Sequence, residues 1–155
     1  MEFPRTIKAV VQYDGTDYYG FQIQAGQPTI QGALEDALAQ VTQESVRIVG
    51  AGRTDSGVHA RAQVVSFRTP WARGLDELQR AWNANLPDAI AIQSLAVAPD
   101  DFHARRSAKS RTYRYTIHNG MVRAPLTDRF AWHVPQPLDE RVMHAALQTV
   151  VGRHD

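Results

Sequence analysis

Cysteine is absent from this sequence of 155 residues, which excludes disulfides and thiolate metal sites and removes any need for an oxidising compartment. Long apolar runs are absent too, since none approaches the roughly 20 residues that span a bilayer. Residues 1–5 lack the apolar core of a signal peptide. We therefore expect a soluble, cytoplasmic protein.

Lysine is rare: the sequence contains only Lys8 and Lys109. Arginine therefore carries almost all of the positive charge. Acidic residues are missing from residues 102–127, although the net charge of the chain is only +1. The basic residues of this acid-free window are Arg105, Arg106, Lys109, Arg111, Arg114 and Arg123. Since a planar guanidinium suits phosphates and stacks on bases, the window indicates a nucleic-acid contact, with a solvated strand face as the alternative.

Length and periodicity predict one α+β or α/β domain in which helices pack on a sheet. A chain of this size can remove roughly 70% of its unfolded surface from water. Alternation of apolar and polar residues predicts strands over residues 6–13 and 110–118, and short apolar runs predict further strands over residues 46–49, 63–67 and 90–97. Apolar stripes of helical period predict one helix after a Thr29 cap, a second over residues 76–86, and a third from Asp139 to Gly152. The order of the strands is not visible in these patterns.

Two groups of apolar residues are expected in the core. The aromatic residues that follow the first strand lie beside a glycine-rich tract, where core packing is favoured over stacking on bases. They are Tyr18, Tyr19 and Phe21. The last helix is expected to bury Val142, Met143, Ala146, Leu147 and Val150.

The segment of residues 52–60, GRTDSGVHA, lies between two predicted strands and is expected to form a loop at the end of the sheet. It clusters Arg53, Asp55 and His59 within seven residues, which is a costly set of side chains to bring together. Asp55 is a candidate nucleophile or general base, Arg53 is a candidate partner that keeps its carboxylate ionised, and His59 could orient the site or titrate. The alternative is an Asx turn with a surface arginine and a loop histidine.

The same segment closely resembles the signature of the TruA family of tRNA pseudouridine synthases. Three further blocks resemble that family in the same order, so the resemblance covers nearly the entire chain: YDGTDYYGFQIQ, NANLPDAIAI and DFHARRSAKSRTYRYTIHN. The sequence departs at Ser56, Phe21 and Arg106, where the family usually has alanine, tryptophan and an aromatic residue. None of these departures falls on the aspartate.

The resemblance implies a fold as well. Residues 1–155 would form a single α+β domain like the N-terminal catalytic half of the TruA-type synthases, with the C-terminal half of the family absent. That half has a mixed, largely antiparallel sheet with helices packed on one face, as in ferredoxin-like and RRM-like folds.

The resemblance further implies an isomerase that converts uridine to pseudouridine at positions 38–40 of the tRNA anticodon stem-loop by flipping the base. Asp55 would be the catalytic residue, Arg53 its partner and the side chain that fills the vacated place in the stack, and Tyr113 the ring that packs on the target uracil. The other substrate-binding residues would be Arg105, Arg111, Arg114 and His59. We expect no cofactor and no metal, and the resemblance implies a homodimer.

Two other functions remain open. A non-catalytic RNA-binding module, or an inactive fragment of such an enzyme, would bind RNA without turnover. A metal-dependent phosphodiesterase would instead need acidic and imidazole ligands, although the spacing of the candidates matches no known ligand set. Those candidates are Asp55, His59, Asp100, Asp101 and His103.

Overall fold

The computed structural model describes residues 4–154, which divide into two compact units, one ending at Arg111 and the other beginning at Thr112. The expectation that residues 1–155 form a single domain stays a prediction. Residues 1–3, which belong to the segment expected to lack a signal peptide, lie outside the described residues. No helix within residues 4–154 is long and apolar enough to cross a membrane.

The first strand, β1 (Arg5–Tyr13), forms the middle of the sheet of the first unit. It pairs antiparallel with β3 (Ala60–Thr69) on one side and with β4 (Ile90–Val97) on the other. Successive side chains of a strand point to opposite faces, so every second residue of β1 faces the core, as its sequence pattern predicts. The buried residues of this face are Ile7, Ala9, Val11 and Tyr13.

A short strand, β2 (Val49–Gly50), pairs antiparallel with β3 and completes a four-stranded sheet in the order β2-β3-β1-β4. Helix α1 (Ile30–Thr42) follows β1, and helix α2 (Leu75–Asn85) follows β3. The element order is therefore βαββαβ, which is that of ferredoxin-like folds. The predicted fold class, α+β with a largely antiparallel sheet and helices on one face, is confirmed.

Helices α1 and α2 share one core with the sheet. Thr29 caps α1 as predicted, because its hydroxyl oxygen accepts a hydrogen bond from the Gly32 N–H at 3.2 Å. Trp82 of α2 is fully buried, meets the ring of Phe67 edge-on at 5.3 Å between centroids, and donates its indole N–H to the carbonyl of Leu34 at 3.1 Å. Since its one polar atom is satisfied, Trp82 can join α1, α2 and β3 without an unpaired donor in the core.

Two predicted strands are shorter than expected. Residues 46–49 contribute only their last residue to β2, although Val46 and Ile48 are buried. Residues 110–118 form a strand only at their end, where β5 (Ile117–Asn119) begins. Alternation alone does not make a strand, because the backbone groups also need a neighbouring strand to bond with.

The second unit contains β5, which pairs in parallel with β6 (Trp132–Val134), and a helix, α3 (Glu140–Leu147). Asp139 caps α3 by accepting hydrogen bonds from the N–H groups of Arg141 and Val142. The expected burial of the apolar side of the last helix is wrong: none of the residues of α3 is buried, and Val142 is 64% exposed. The capping signal is local and was readable in the sequence, whereas burial depends on a covering surface that the pattern does not specify.

Candidate active-site loop

Residues 51–59 connect β2 to β3 at one end of the sheet, as the sequence predicts, and form the β2–β3 loop. The loop begins close to β3, because the Ala51 N–H donates to the carbonyl of Val64 at 2.8 Å. The side-chain amide of Gln63 donates to the carbonyl of Gly52 at 2.7 Å. The first residues of the loop are therefore fixed to the strand that follows it.

Asp55 lies in the middle of this loop, and its own main chain is fixed on both sides. The carbonyl of Thr54 accepts a hydrogen bond from the Phe21 N–H at 2.9 Å, and the carbonyl of Asp55 accepts one from the Val58 N–H at 3.2 Å. The Asp55 side chain is exposed. The loop therefore presents a solvent-accessible carboxylate from a hydrogen-bonded backbone.

The segment of residues 14–29, the β1–α1 loop, packs directly against the β2–β3 loop. A Cβ atom at Gly15 would lie 2.0 Å from the carbonyl oxygen of Val58, and one at Gly20 would lie 2.7 Å from the carbonyl oxygen of Thr54. Gly20 also has a φ of +84°, which L side chains rarely adopt. The carbonyl of Tyr18 accepts the Gly57 N–H at 3.2 Å. Two glycines thus allow two backbones to approach to a distance that no side chain would permit.

Tyr13, the last residue of β1, contacts the β2–β3 loop through its hydroxyl group. Its hydroxyl lies 2.8 Å from the hydroxyl oxygen of Thr54, a residue 41 positions away in the chain. Burial raises the pKa of the Tyr13 phenol above its ordinary value, and hydrogen bonds with Thr54 and Gln63 oppose that rise. At neutral pH the phenol is therefore protonated and can donate a hydrogen bond.

His59 ends the loop and joins it to the β1–α1 loop. Its Nδ1 atom lies 3.0 Å from Oδ1 of Asp14 and 3.1 Å from the backbone nitrogen of Gly15. Both side chains are partly buried, with exposed fractions of 32% for His59 and 22% for Asp14. The histidine of the sequence motif is thus placed to support the loop; its predicted contact with substrate stays a prediction.

Arg53 and Asp55 are both exposed, and no ion pair joins them within the part of the chain that the structure describes. The two side chains are separated by one residue in the β2–β3 loop, and this spacing alone does not bring them together. Their catalytic roles stay predictions.

The acid-free window divides between the two units. In the first unit, Arg105, Arg106 and Lys109 are exposed, while the preceding Ala104 is buried and donates its N–H to the hydroxyl oxygen of Ser66 at 3.0 Å. Arg111 donates a guanidinium N–H to the carbonyl of Ala51 at 2.5 Å, so this arginine contacts the first residue of the β2–β3 loop.

The remaining predicted site residues, Tyr113 and Arg114, belong to the second unit. Both are exposed, and the Tyr113 side chain is 66% exposed. The alternation of residues 110–118 puts Tyr113 on the same face as Tyr115, which is compatible with a core strand, but Tyr115 is 92% exposed. Both rings are therefore accessible to solvent instead of buried in a core.

The aromatic residues expected in the core after β1 divide between core and surface. Phe21 is buried, Tyr18 packs partly against the core, and Tyr19 is 50% exposed. Phe21 lies so close to Gly50 that a Cβ atom there would be 2.5 Å from the phenyl ring. The core prediction is right for Phe21 and wrong for Tyr19.

The sequence did not identify the residues that support the β2–β3 loop. They are Tyr13, Asp14, Gly15, Gly20 and Gln63. Nothing in the order of these residues along the chain shows which distant backbone they touch.

Histidine and acidic residues within residues 4–154 do not converge on a metal site: no group of three or more such residues is placed to hold a metal ion. The five residues considered as phosphodiesterase ligands therefore do not form a cluster among the described residues.

The fold and the loop together define a ferredoxin-like α+β domain that presents an exposed aspartate from a hydrogen-bonded connection between two strands. The model of a protein family described as tRNA pseudouridine synthase matches residues 9–106, which run from β1 through the β2–β3 loop into the acid-free window. The chain belongs to this family, and the resemblance found in the sequence is confirmed.

Several curated relatives support this assignment. A protein of Pelobacter propionicus named tRNA pseudouridine synthase A is 47% identical over 97% of this chain and 62% of its own length. Proteins with the same name from Methylobacterium radiotolerans and Geobacillus sp. are 47% and 41% identical over 96% and 97% of this chain, and over 59% and 61% of their own lengths. The chain therefore spans less than two thirds of the length of these relatives.

Proposed function

We propose that the full-length protein is a tRNA pseudouridine synthase, an isomerase that converts uridine to pseudouridine at positions 38–40 of the anticodon stem-loop with Asp55 as its catalytic carboxylate. The observation that carries this proposal is the presentation of Asp55, whose side chain is exposed while the carbonyls of Thr54 and Asp55 are hydrogen-bonded. A carboxylate on a fixed backbone loses little further freedom when it meets a substrate atom, which favours reaction.

The isomerisation breaks the bond between N1 of uracil and C1′ of the ribose and forms a bond between C5 and C1′. The proton that leaves C5 is balanced by a proton gained at N1, and no electrons pass to another molecule. Asp55 takes part as a nucleophile or as a base toward the nucleoside. Both roles require the carboxylate to reach the sugar and the base directly, and its exposure supports either.

The target uridine must leave its stack to reach Asp55, because a base within a stem-loop is covered by its neighbours. Arg53 is exposed two residues before Asp55, and we assign to it the place in the stack that the uridine vacates. A guanidinium suits that position because its plane stacks on bases. The accessible ring of Tyr113 supports its assignment to the face of the flipped uracil.

The basic residues of the acid-free window bind phosphates in this proposal. Arg105 is exposed on a segment that the buried Ala104 anchors to the sheet, and Arg114 is exposed in the second unit. Arg111 uses one donor for the carbonyl of Ala51, and a guanidinium has five N–H groups, so others are available for phosphate. Phosphate contacts fix register without reading bases, which suits an enzyme that modifies several neighbouring positions.

We further propose that the protein acts in the cytoplasm as a homodimer, as the TruA resemblance implies. Sedimentation equilibrium of the full-length protein tests the oligomeric state: a dimer mass is expected, and a monomer at all concentrations used for catalysis would contradict this part of the proposal.

The test of the function is to incubate the full-length protein with unmodified tRNA and to map pseudouridine by chemical adduct formation. Pseudouridine is expected at positions 38–40, and a tRNA with cytidine at those positions is the matched control. Binding without turnover would contradict the proposal and favour the RNA-binding module. RNA cleavage that EDTA abolishes and a divalent ion restores would favour the phosphodiesterase.

A further inference from the structure

Asp14 is held by hydrogen bonds with residues outside the β2–β3 loop. Its backbone N–H donates to the carbonyl of Ala89 at 2.9 Å, which fixes Asp14 to the residue that precedes β4. Its Oδ1 atom accepts hydrogen bonds from the backbone N–H of Thr16 at 3.0 Å and from the Thr16 hydroxyl at 2.6 Å. The carboxylate therefore has a defined direction, and the same oxygen lies 3.0 Å from Nδ1 of His59.

The Nδ1 atom of His59 has two partners and can satisfy one at a time. With a proton on Nδ1, the imidazole donates to Oδ1 of Asp14; without it, Nδ1 accepts the Gly15 N–H, whose nitrogen is 3.1 Å away. In the first state the contact is charge-assisted, because the acceptor is a carboxylate. Only the protonated Nδ1 forms a hydrogen bond with the Asp14 carboxylate, so this is the state in which Asp14 holds the imidazole.

The contact continues from His59 to the turn that contains Asp55. Val58 precedes His59 in the chain, and its N–H closes the turn onto the carbonyl of Asp55 at 3.2 Å. The carbonyl oxygen of Val58 packs closely against Gly15, because a Cβ atom built on Gly15 would be only 2.0 Å from that oxygen. A displacement of His59 would therefore move Val58, and with it the hydrogen bond that holds the main chain of Asp55.

We propose that Asp14 is a positioning residue for the reaction proposed above: by binding His59, its carboxylate fixes the end of the turn formed by residues 55–58 and so the direction in which Asp55 is presented. This inference rests on the proposed function for its catalytic consequence. The arrangement of Asp14, His59 and Val58 is a property of the chain itself and can be tested without catalysis.

The catalytic test compares Asp14→Asn with Asp88→Asn in the full-length protein. Asparagine keeps the size of the side chain and removes the charge that His59 meets, while Asp88 is an exposed carboxylate between α2 and β4. Because a small misplacement of a reacting group can cost up to about 100-fold in rate, we expect kcat of Asp14→Asn to fall about 10- to 100-fold with little change in KM for tRNA. The Asp88→Asn variant is expected to keep both values.

Variants of His59 separate positioning from a general loss of stability. The amide of asparagine can place a donor near the Nδ1 position, so His59→Asn is expected to retain most of the kcat that His59→Ala loses. The double variant Asp14→Asn/His59→Ala should be no slower than the slower of the two single variants, because each change removes the same interaction between Asp14 and His59. Multiplicative losses, or a loss in KM alone, would overturn the proposal.

Amide hydrogen exchange of the 155-residue chain gives a readout that does not depend on catalysis. We expect faster exchange of the Val58 N–H in Asp14→Asn, with the amides of β3 unchanged and Asp88→Asn like the parent. Unchanged exchange at Val58 would overturn the positioning role even if the protein proves to be a synthase. Faster exchange in a protein that makes no pseudouridine would overturn the proposed function alone.

Discussion

Gly20 lies against the carbonyl of Thr54, so that a Cβ atom at position 20 would be 2.7 Å from the carbonyl oxygen. The next residue, Phe21, donates its N–H to the same oxygen at 2.9 Å. The carbonyl that precedes Asp55 is therefore covered by the backbone of the β1–α1 loop. A side chain at position 20 would separate the two loops where Asp55 is held.

Alanine at Gly20 should destabilise the chain both through the strain of a positive φ and through the clash of its Cβ atom with the carbonyl of Thr54. A control variant can separate these two effects. Gly26 also has a positive φ, +71°, but has no atom within 4 Å of its Cβ position. We expect Gly26→Ala to lower the free energy of unfolding by about 1–2 kcal/mol, the cost of the left-handed conformation. Gly20→Ala should lower it further, because the backbones must also move apart. Urea unfolding of both variants measures this, and equal losses would show that the contact with Thr54 contributes no stability.

Asparagine at Asp55 should remove catalysis and leave binding intact. The change keeps the size of the side chain but removes the carboxylate that acts on the nucleoside, so pseudouridine formation by the full-length protein should fall at least about 100-fold. The affinity for tRNA should stay close to that of the parent, because phosphate contacts supply most of it. Asp88→Asn is the matched control. Turnover by Asp55→Asn at the parental rate would exclude Asp55 as the catalytic residue.

Alanine at Arg105 should weaken tRNA binding and reduce its dependence on salt. Loss of one phosphate contact is expected to lower the slope of log K against log salt concentration by about one unit. Arg73 is a suitable control, because it already pairs with Glu77 at 2.8 Å and lies over the ring of Trp71. Filter binding across a salt series measures both variants. If Arg105→Ala and Arg73→Ala give the same slope as the parent, the acid-free window is a solvated surface.

Ionisation of Tyr13 should lower the free energy of unfolding in alkaline solution. Because the pKa of its phenol is raised above 10.0 in the folded protein, the unfolded chain loses this proton first as pH increases. Its contribution to the free energy of unfolding is therefore fully present below pH 10.0 and is lost as pH rises from there through the folded pKa. Tyr13→Phe should flatten this decline.

The same substitution should also cost about 1 kcal/mol at neutral pH through the lost hydrogen bond to Thr54. Urea unfolding between about pH 8 and pH 11 measures both effects, with the highly exposed Tyr115→Phe as control. Part of the decline should remain, because the pKa of Tyr18 is raised as well, by burial and by Asp17 and Asp14. An unchanged pH profile for Tyr13→Phe would contradict the assignment to Tyr13.

The sequence by itself determined the elements whose signals are local. The alternation of β1, the Thr29 cap of α1 and the apolar run that became β4 each depend on neighbours along the chain, and the structure confirms all three. The segment around Asp55 could likewise be located as a loop between strands and, through its nine-residue motif, assigned to a family.

Only the tertiary structure decided which residues hold that loop and which apolar residues are buried. Tyr13 meets Thr54 across 41 positions of sequence, and Gly20 meets the same residue through a backbone contact that no periodicity encodes. The alternation of residues 110–118 predicted a strand, yet only the last two of these residues belong to β5. The physical reason is common to these cases: a contact between distant segments depends on the order of strands in the sheet, whereas a local pattern records only which face of an element is apolar.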